Sequence, residues 1–218
     1  MTAPFYTGAQ RALQEAQGAT KLAETVAGAI VWDEVAGPAA DFIASRDFFF
    51  LSTVDGFGRP TVSYKGGPEG VVRIADPKTL LFPAYDGNGM FLSIGNIAET
   101  AKIGMLFIDF ETPNRVRVQG DATIHKGDPE RGRWPGAKMV VRVAVERCFL
   151  NCARYIHRHQ RVETSRYVPA PDGAQPHPSW KRIDFVQDAL PVADRERTRE
   201  AGTITMEDYA VHLAEGRS

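Results

Sequence analysis

"DFFFLSTVDGFGRPTVSYKGG", residues 47–67, reads as two strands joined by a turn. Residues 47–54 are aromatic and apolar, the composition of a buried strand. Asp55-Gly56 between two apolar runs is a hairpin signal, because that pair accepts the backbone of a tight turn. "TVSYKGG" then returns antiparallel to the first strand. Beyond it, "EGVVRIA" (69–75) reads as a third strand, ended by the turn-forming "DPKT", and "TLLFPAY" (79–85) as a fourth. "IGMLFIDF" (103–110) is a strongly apolar strand and "MVVRVAVERCFL" (139–150) another. Between them "RVRVQGDATI" alternates at period two, which puts Arg115, Arg117 and Gln119 on one face. About seven short strands with one internal helix predict a closed antiparallel barrel rather than a doubly wound parallel sheet.

The flanks have a different texture. "TGAQRALQEAQGATKLAETVAGAI" (7–30) is rich in helix formers, with Gly18 expected to divide it in two. "GPAADFIASR" (37–46) predicts a short helix opened by Pro38. After Leu150 the pattern weakens: "NCARYIHRHQR" (151–161) predicts a helix, and "VPAPDGAQPHPSW" (168–180) an extended, proline-rich arm. The expected organisation is a helical segment over 1–46, a barrel over 47–150 and a C-terminal helix and arm over 151–218.

The chain has 218 residues, 43% hydrophobic and 24% charged, as expected for one globular domain with appendages. A formal net charge of −1 gives no overall basic field for nucleic acid. No apolar run reaches membrane-spanning length, and "MTAPFYTGAQ" lacks the basic and apolar regions of a secretory signal. The expectation is a cytoplasmic protein with neither nucleic-acid nor membrane partner. Cys148, Cys152, His157 and His159 are spaced C-x3-C-x4-H-x-H, which matches no structural zinc pattern. Their reading is packing for the cysteines and a basic surface for the histidines, with no metal.

"DGNGMFLSIGN" (86–96) sits at a strand end and a helix start and holds three glycines. The helix is expected over "SIGNIAETAK", capped by Ser93. Backbone N–H groups at such a start attract anions, and glycine permits close approach. Asn88 and Ser93 add side-chain donors. A solvated connection explains the same composition. The neighbourhood favours the anion: Ser63, Tyr64 and Lys65 lie on a hairpin strand, and Arg115 and Arg117 share a strand face. In a closed barrel these side chains converge on one groove. Phosphate-loop and dinucleotide fingerprints are absent.

In order and spacing, "FFFLSTVDGFGRPTVSYKGGPEGVVRI", "TLLFPAYDGNGMFLSIGNIAETAKIGMLFID" and "NRVRVQGDATI" resemble the pyridoxamine 5′-phosphate oxidase-like, FMN-binding split-barrel family. "FYTGAQRALQEAQG" resembles the leader helix of one bacterial branch. The resemblance implies a mostly β chain with flanking helices, an antiparallel split barrel, and a homodimer with FMN at the subunit interface. By motif position it implies Ser63, Tyr64 and Lys65 along the flavin, and Pro83, Ala84 and Tyr85 flanking it. It implies Asn88, Ser93 and Asn96 near the phosphate, and Arg115 and Arg117 on a strand that reaches the cofactor from the partner subunit.

The activity so implied is an FMN-dependent oxidoreductase acting on an unidentified small molecule by hydride transfer at flavin N5, with NAD(P)H a candidate donor. No protein residue need act as a nucleophile or strong acid. Lys65 or an arginine would stabilise the reduced flavin. Departures from the family weaken the substrate inference more than the cofactor inference. Many branch members carry arginine in the 86–96 loop, where here Met90 and Phe91 follow Asn88-Gly89, and Val186 stands where the pyridoxal-phosphate-forming oxidases have tryptophan. The alternatives are the same barrel with F420 or haem, and a non-catalytic flavin-binding protein.

Overall fold

The computed structural model describes residues 4–216 and divides the chain into two compact units, Met1–Thr164 and Ser165–Ser218.

The first unit is an eight-stranded antiparallel sheet with flanking helices. Its strands are β1 (Val31–Trp32), β2 (Phe48–Val54), β3 (Pro60–Gly66), β4 (Arg73–Asp76), β5 (Thr79–Ala84), β6 (Lys102–Asp109), β7 (Asn114–His125) and β8 (Met139–Leu150). The hydrogen-bonded order is β3-β2-β6-β7-β8-β5-β4, with β1 pairing the far end of β8. The expected antiparallel class and its seven strands after residue 47 are present. The ring is not closed by hydrogen bonds: β3 pairs only β2, and β4 only β5, among the described residues. The split leaves two edges.

The sheet nonetheless curls. Three strands separate β2 from β5 in the sheet, about 19 Å if flat at 4.8 Å per strand. Yet Phe49 of β2 meets Phe82 of β5 edge to face at 5.1 Å between ring centroids. Phe49 also stacks on Phe107 of β6 at 5.5 Å. These rings, with Leu51, Leu80, Met105, Val116, Val118, Val141 and Val143, form the core inside the curl. Alternation fixes which residues enter it: β2 reads half-buried and buried in turn, so Phe49, Leu51 and Thr53 point inward. A bulge in β8, where Glu146 is the extra residue opposite Gln119 and Gly120 of β7, bends that strand.

Local chemistry sets the connections. The β2–β3 turn is held by Asp55, whose carboxylate accepts from the N–H groups of Phe57 and Arg59, both at 2.9 Å. The positive φ falls at Gly58 (79°) rather than at Gly56. Helices α1 (Gly8–Ala16) and α2 (Thr20–Ile30) are divided at Gly18, as the sequence predicts. A capping box between Thr7 and Gln10 opens α1. Helix α3 (Gly37–Ala44) has Pro38 in its first turn and buries Ala39 and Ile43. Helix α4 (Leu92–Thr100) is the one helix between β5 and β6.

Two local expectations are corrected. The strand expected at 69–75 begins only at Arg73. Gly70, with φ at 73°, turns the chain there, and its N–H donates to the Arg46 carbonyl instead of to a ladder. Residues 151–161 form no helix, despite their composition. Their backbone is engaged elsewhere: the His159 N–H donates to the Phe110 carbonyl at 3.0 Å, and the Arg161 N–H to Glu111 at 3.3 Å.

The second unit begins with an irregular, proline-rich segment. Two 3-10 turns, Ser179–Arg182 and Asp184–Ala189, lead into α5 (Val192–Ala201) and α6 (Met206–Ala214). Ile183 and Ile204 pair in a single parallel bridge, and Ile183, Leu190, Lys181 and Thr198 are buried. No helix among the described residues is long and apolar enough to cross a membrane.

Candidate functional site

Helix α4 lies on the β2–β3 hairpin by a polar face. Ser93, Asn96 and Thr100 recur at helical spacing and all turn toward the sheet. Ser93 Oγ and Ser63 Oγ of β3 are 2.7 Å apart. Asn96 Nδ2 donates to Thr53 Oγ1 of β2 at 3.0 Å, and Thr100 Oγ1 donates to the Val54 carbonyl at 2.7 Å. Glu99 reaches the hairpin turn and accepts from the Gly56 N–H at 3.0 Å. A Cβ on Gly56 would lie 2.1 Å from the Glu99 carboxylate, so a larger residue there would push that side chain aside.

The sequence expectation that Ser93 caps α4 is corrected. The cap position is Phe91, in the left-handed region at φ 52°, and it makes no side-chain capping bond. Ser93 lies one turn position inside, only 7% exposed, because its hydroxyl is drawn to Ser63. The N–H groups of the first turn therefore lack a side-chain acceptor, and the helix start keeps its partial positive charge.

Lys65 follows Ser63 by two positions on β3, on the same inward face, opposite Phe49. It makes no ion pair or hydrogen bond among the described residues. Burial pulls its pKa below that of an ordinary lysine. A half-buried ammonium without a counter-ion is costly unless an anion joins it.

The remaining expected residues are distributed. Pro83 and Ala84 end β5, opposite Val140 and Met139 of β8. Pro83 lies beyond the last β4 partner, where a missing N–H breaks no ladder. Tyr85 packs with Leu81, Trp134 and Val140. Burial pushes its phenol to about 12, and its hydroxyl is buried without a hydrogen-bond partner. Asn88 folds onto its own loop, accepting from the Met90 N–H at 3.1 Å.

Tyr64, Phe50, Leu106, Arg117 and Phe149 form one cross-strand row on the outer face of the sheet. Arg117 and Tyr64 thus face away from Ser63 and Lys65. Arg115 is tied to the Cys152 carbonyl at 2.8 Å. Within one chain, then, the two arginines do not converge on the groove with Ser63 and Lys65. The structure brings Ser63, Ser93 and Asn96 together, with Lys65 alongside. Sequence reading missed Thr53, Thr100 and Glu99, which tie the helix to the hairpin. Cys148 is buried and Cys152 exposed.

An open, curled antiparallel sheet with one polar-faced helix between its fifth and sixth strands defines a split barrel. The pyridoxamine 5′-phosphate oxidase family model matches residues 37–160, more than half of the chain, and the chain belongs to that family. Comparison with curated proteins returns no match. Among solved structures the chain is similar to a tagged variant of HupZ from Group A Streptococcus, with 25% identity over 54% of this chain and 99% of that one, TM-score 0.44. It is similar to HutZ, the haem storage protein from Vibrio cholerae, with 19% identity over 51% and 90%, TM-score 0.40. An FMN-binding protein from Syntrophomonas wolfei subsp. wolfei shows 12% identity over 64% and 97%, TM-score 0.43. At these scores the family assignment rests on the family model alone.

Proposed function

We propose that this chain binds FMN with its phosphate at the start of α4, and that it is an FMN-dependent oxidoreductase acting on a small molecule as a homodimer. The observation that carries the reading is the unpaired, half-buried Lys65 beside the Ser63–Ser93 hydroxyl pair and the uncapped first turn of α4. That donor set fits a phosphate dianion: a point charge, two hydroxyls able to redirect their protons, and backbone N–H groups aligned with a helix dipole. The open loop 86–91, with Gly89 at φ 78°, lets a ligand approach the backbone. When bound, FMN supplies the redox chemistry, exchanging hydride equivalents with a substrate. The chain's own residues bind and orient: Ser63 and Ser93 hold the anion, and Lys65 neutralises it. Arg115 and Arg117, directed to the outer face, are placed to act across a subunit interface.

The family also accommodates other cofactors, so the test is retention. Purified protein incubated separately with FMN, F420 and haem, then desalted, is expected to keep flavin absorbance and to lose it on adding NADH or NADPH. Retention of haem or F420 in place of FMN overturns the cofactor. Retained flavin that no nicotinamide nucleotide reduces leaves a flavin-binding protein and overturns the oxidoreductase reading.

A further inference from the structure

A groove of about 360 Å³ opens on the first unit, lined by Glu69, Val72, Arg73, Ile74, Arg133 and Trp134. The volume is in the range of small-molecule sites. None of these residues belongs to the Ser63–Ser93 site. Its charged wall is built with care. Asp128, buried, caps the short 3-10 turn Pro129–Arg133 by accepting from the Glu130 N–H at 2.8 Å. Arg142 of β8 clamps the Asp128 carboxylate from behind with two bonds, at 2.5 and 3.1 Å. The turn so fixed delivers Glu130 and Arg133 beside Arg73 of β4. Both guanidiniums then donate to the same oxygen, Glu130 Oε2.

Two guanidiniums on one carboxylate oxygen leave spare donors. Each is engaged by Glu130 through one nitrogen, so at least two more nitrogens per guanidinium remain to bond a second carboxylate. Trp134, Val72 and Ile74 line the same groove and supply its apolar part. Glu69, exposed and without a bonded partner among the described residues, lines the same groove and opposes further negative charge.

We propose that this groove is a second binding site, selective for a small monocarboxylate with an apolar, ring-sized body, held by Arg73 and Arg133 against Trp134. The carboxylate replaces water on two prepositioned guanidiniums. The ring fills the apolar part, and Glu69 selects against dianions such as phosphate. The site does not depend on what occupies the start of α4.

Calorimetric titration of the full chain tests it, with phenylacetate as the probe and phenylacetamide and inorganic phosphate as comparisons. Phenylacetate is expected to bind at millimolar concentration or below, and to bind tighter than the other two. Arg133→Gln is expected to weaken phenylacetate at least tenfold. The Arg133 side chain is 56% exposed, so the melting temperature of the unliganded variant should match the parent's. Saturating FMN should leave phenylacetate affinity unchanged. Equal binding of the amide, tighter binding of phosphate, competition by FMN, or an Arg133→Gln variant with parental affinity each overturns the proposal.

Discussion

At the scale of single residues, the candidate site holds one group the fold has no use for. Lys65 carries a charge into a half-buried position with no partner, and burial lowers its pKa. Lys65→Met keeps the aliphatic stem and removes the charge. The apo protein is expected to melt at the parental temperature or above it, while FMN affinity falls tenfold or more, since a hydrogen bond to a charged group contributes about 1.5–3 kcal/mol. A variant that melts lower and binds FMN normally would make Lys65 a structural residue. Ser93→Ala works in the other direction: removing one partner of the Ser63 bond should cost about 1 kcal/mol of stability, read by urea denaturation, as well as affinity for FMN. In the second unit, the Thr198 hydroxyl donates to the Lys181 carbonyl, so toward His177 Nε2, 2.8 Å away, it can only accept. His177 thus donates from Nε2, and Nδ1 is buried without a hydrogen-bond partner among the described residues, which disfavours a second ring proton. Burial first, then Arg197, lowers its pKa, with Lys181 and Arg182 acting the same way and Asp194 opposing. The folded chain resists a proton that the unfolded chain accepts below about pH 6.5. This contribution is complete above that pH and is lost as pH falls. His177→Gln should flatten that acid-side slope of the melting temperature; an unchanged slope would show that His177 is not its source. Of the candidate site, the sequence marks Ser63, Lys65 and Ser93. It does not mark their mutual contact, because residues thirty apart give no pairing signal. Thr100 goes unmarked for a different reason, since a polar residue on a helix ordinarily faces water and here faces the sheet.

Elements carry a second lesson, visible in two glycines on neighbouring strands. Gly120 of β7 stands opposite the β8 bulge, where a Cβ would lie 2.1 Å from the Ala144 carbonyl oxygen. Gly104 on β6 would place its Cβ 3.8 Å from Ser52, an ordinary contact. Gly120→Ala must therefore displace backbone in a central strand pair and is expected to cost about 3 kcal/mol, the upper range for overpacking. Gly104→Ala should fall within about 0.5 kcal/mol of the parent. Equal denaturation midpoints for the two variants would mean that the bulge relaxes freely. The strands were legible because period-two burial and turn residues are local signals. The late start of β4 and the unwound segment 151–161 were not, because each is decided by a distant partner: Arg46 and Phe110 respectively. The divided N-terminal helix was readable from Gly18 alone, since its φ of 64° is a local demand.

At the scale of the molecule, the outer face of the sheet is unfinished. β3 is an open edge, and Val62 and Tyr64 on it are 65% and 61% exposed. Phe57 in the adjoining turn is 85% exposed, and helices α1 and α2 bury no residue at all. Helices of nine and eleven residues are marginal on their own, and an exposed apolar edge invites pairing. A second copy covering these surfaces meets both needs. The chain is therefore expected to sediment as a homodimer at micromolar concentration, with an interface of about 2,000 Å² or more, as obligate dimers have. Val62→Glu tests the geometry: the side chain is exposed in the single chain, so the barrel should fold, while a carboxylate on the edge should shift the equilibrium toward monomer. If the partner completes the cofactor site, FMN retention falls in step with dimer content across a dilution series. A parent protein that is monodisperse as a monomer and still retains FMN would show that one chain suffices, and the arginines of β7 would then need another role.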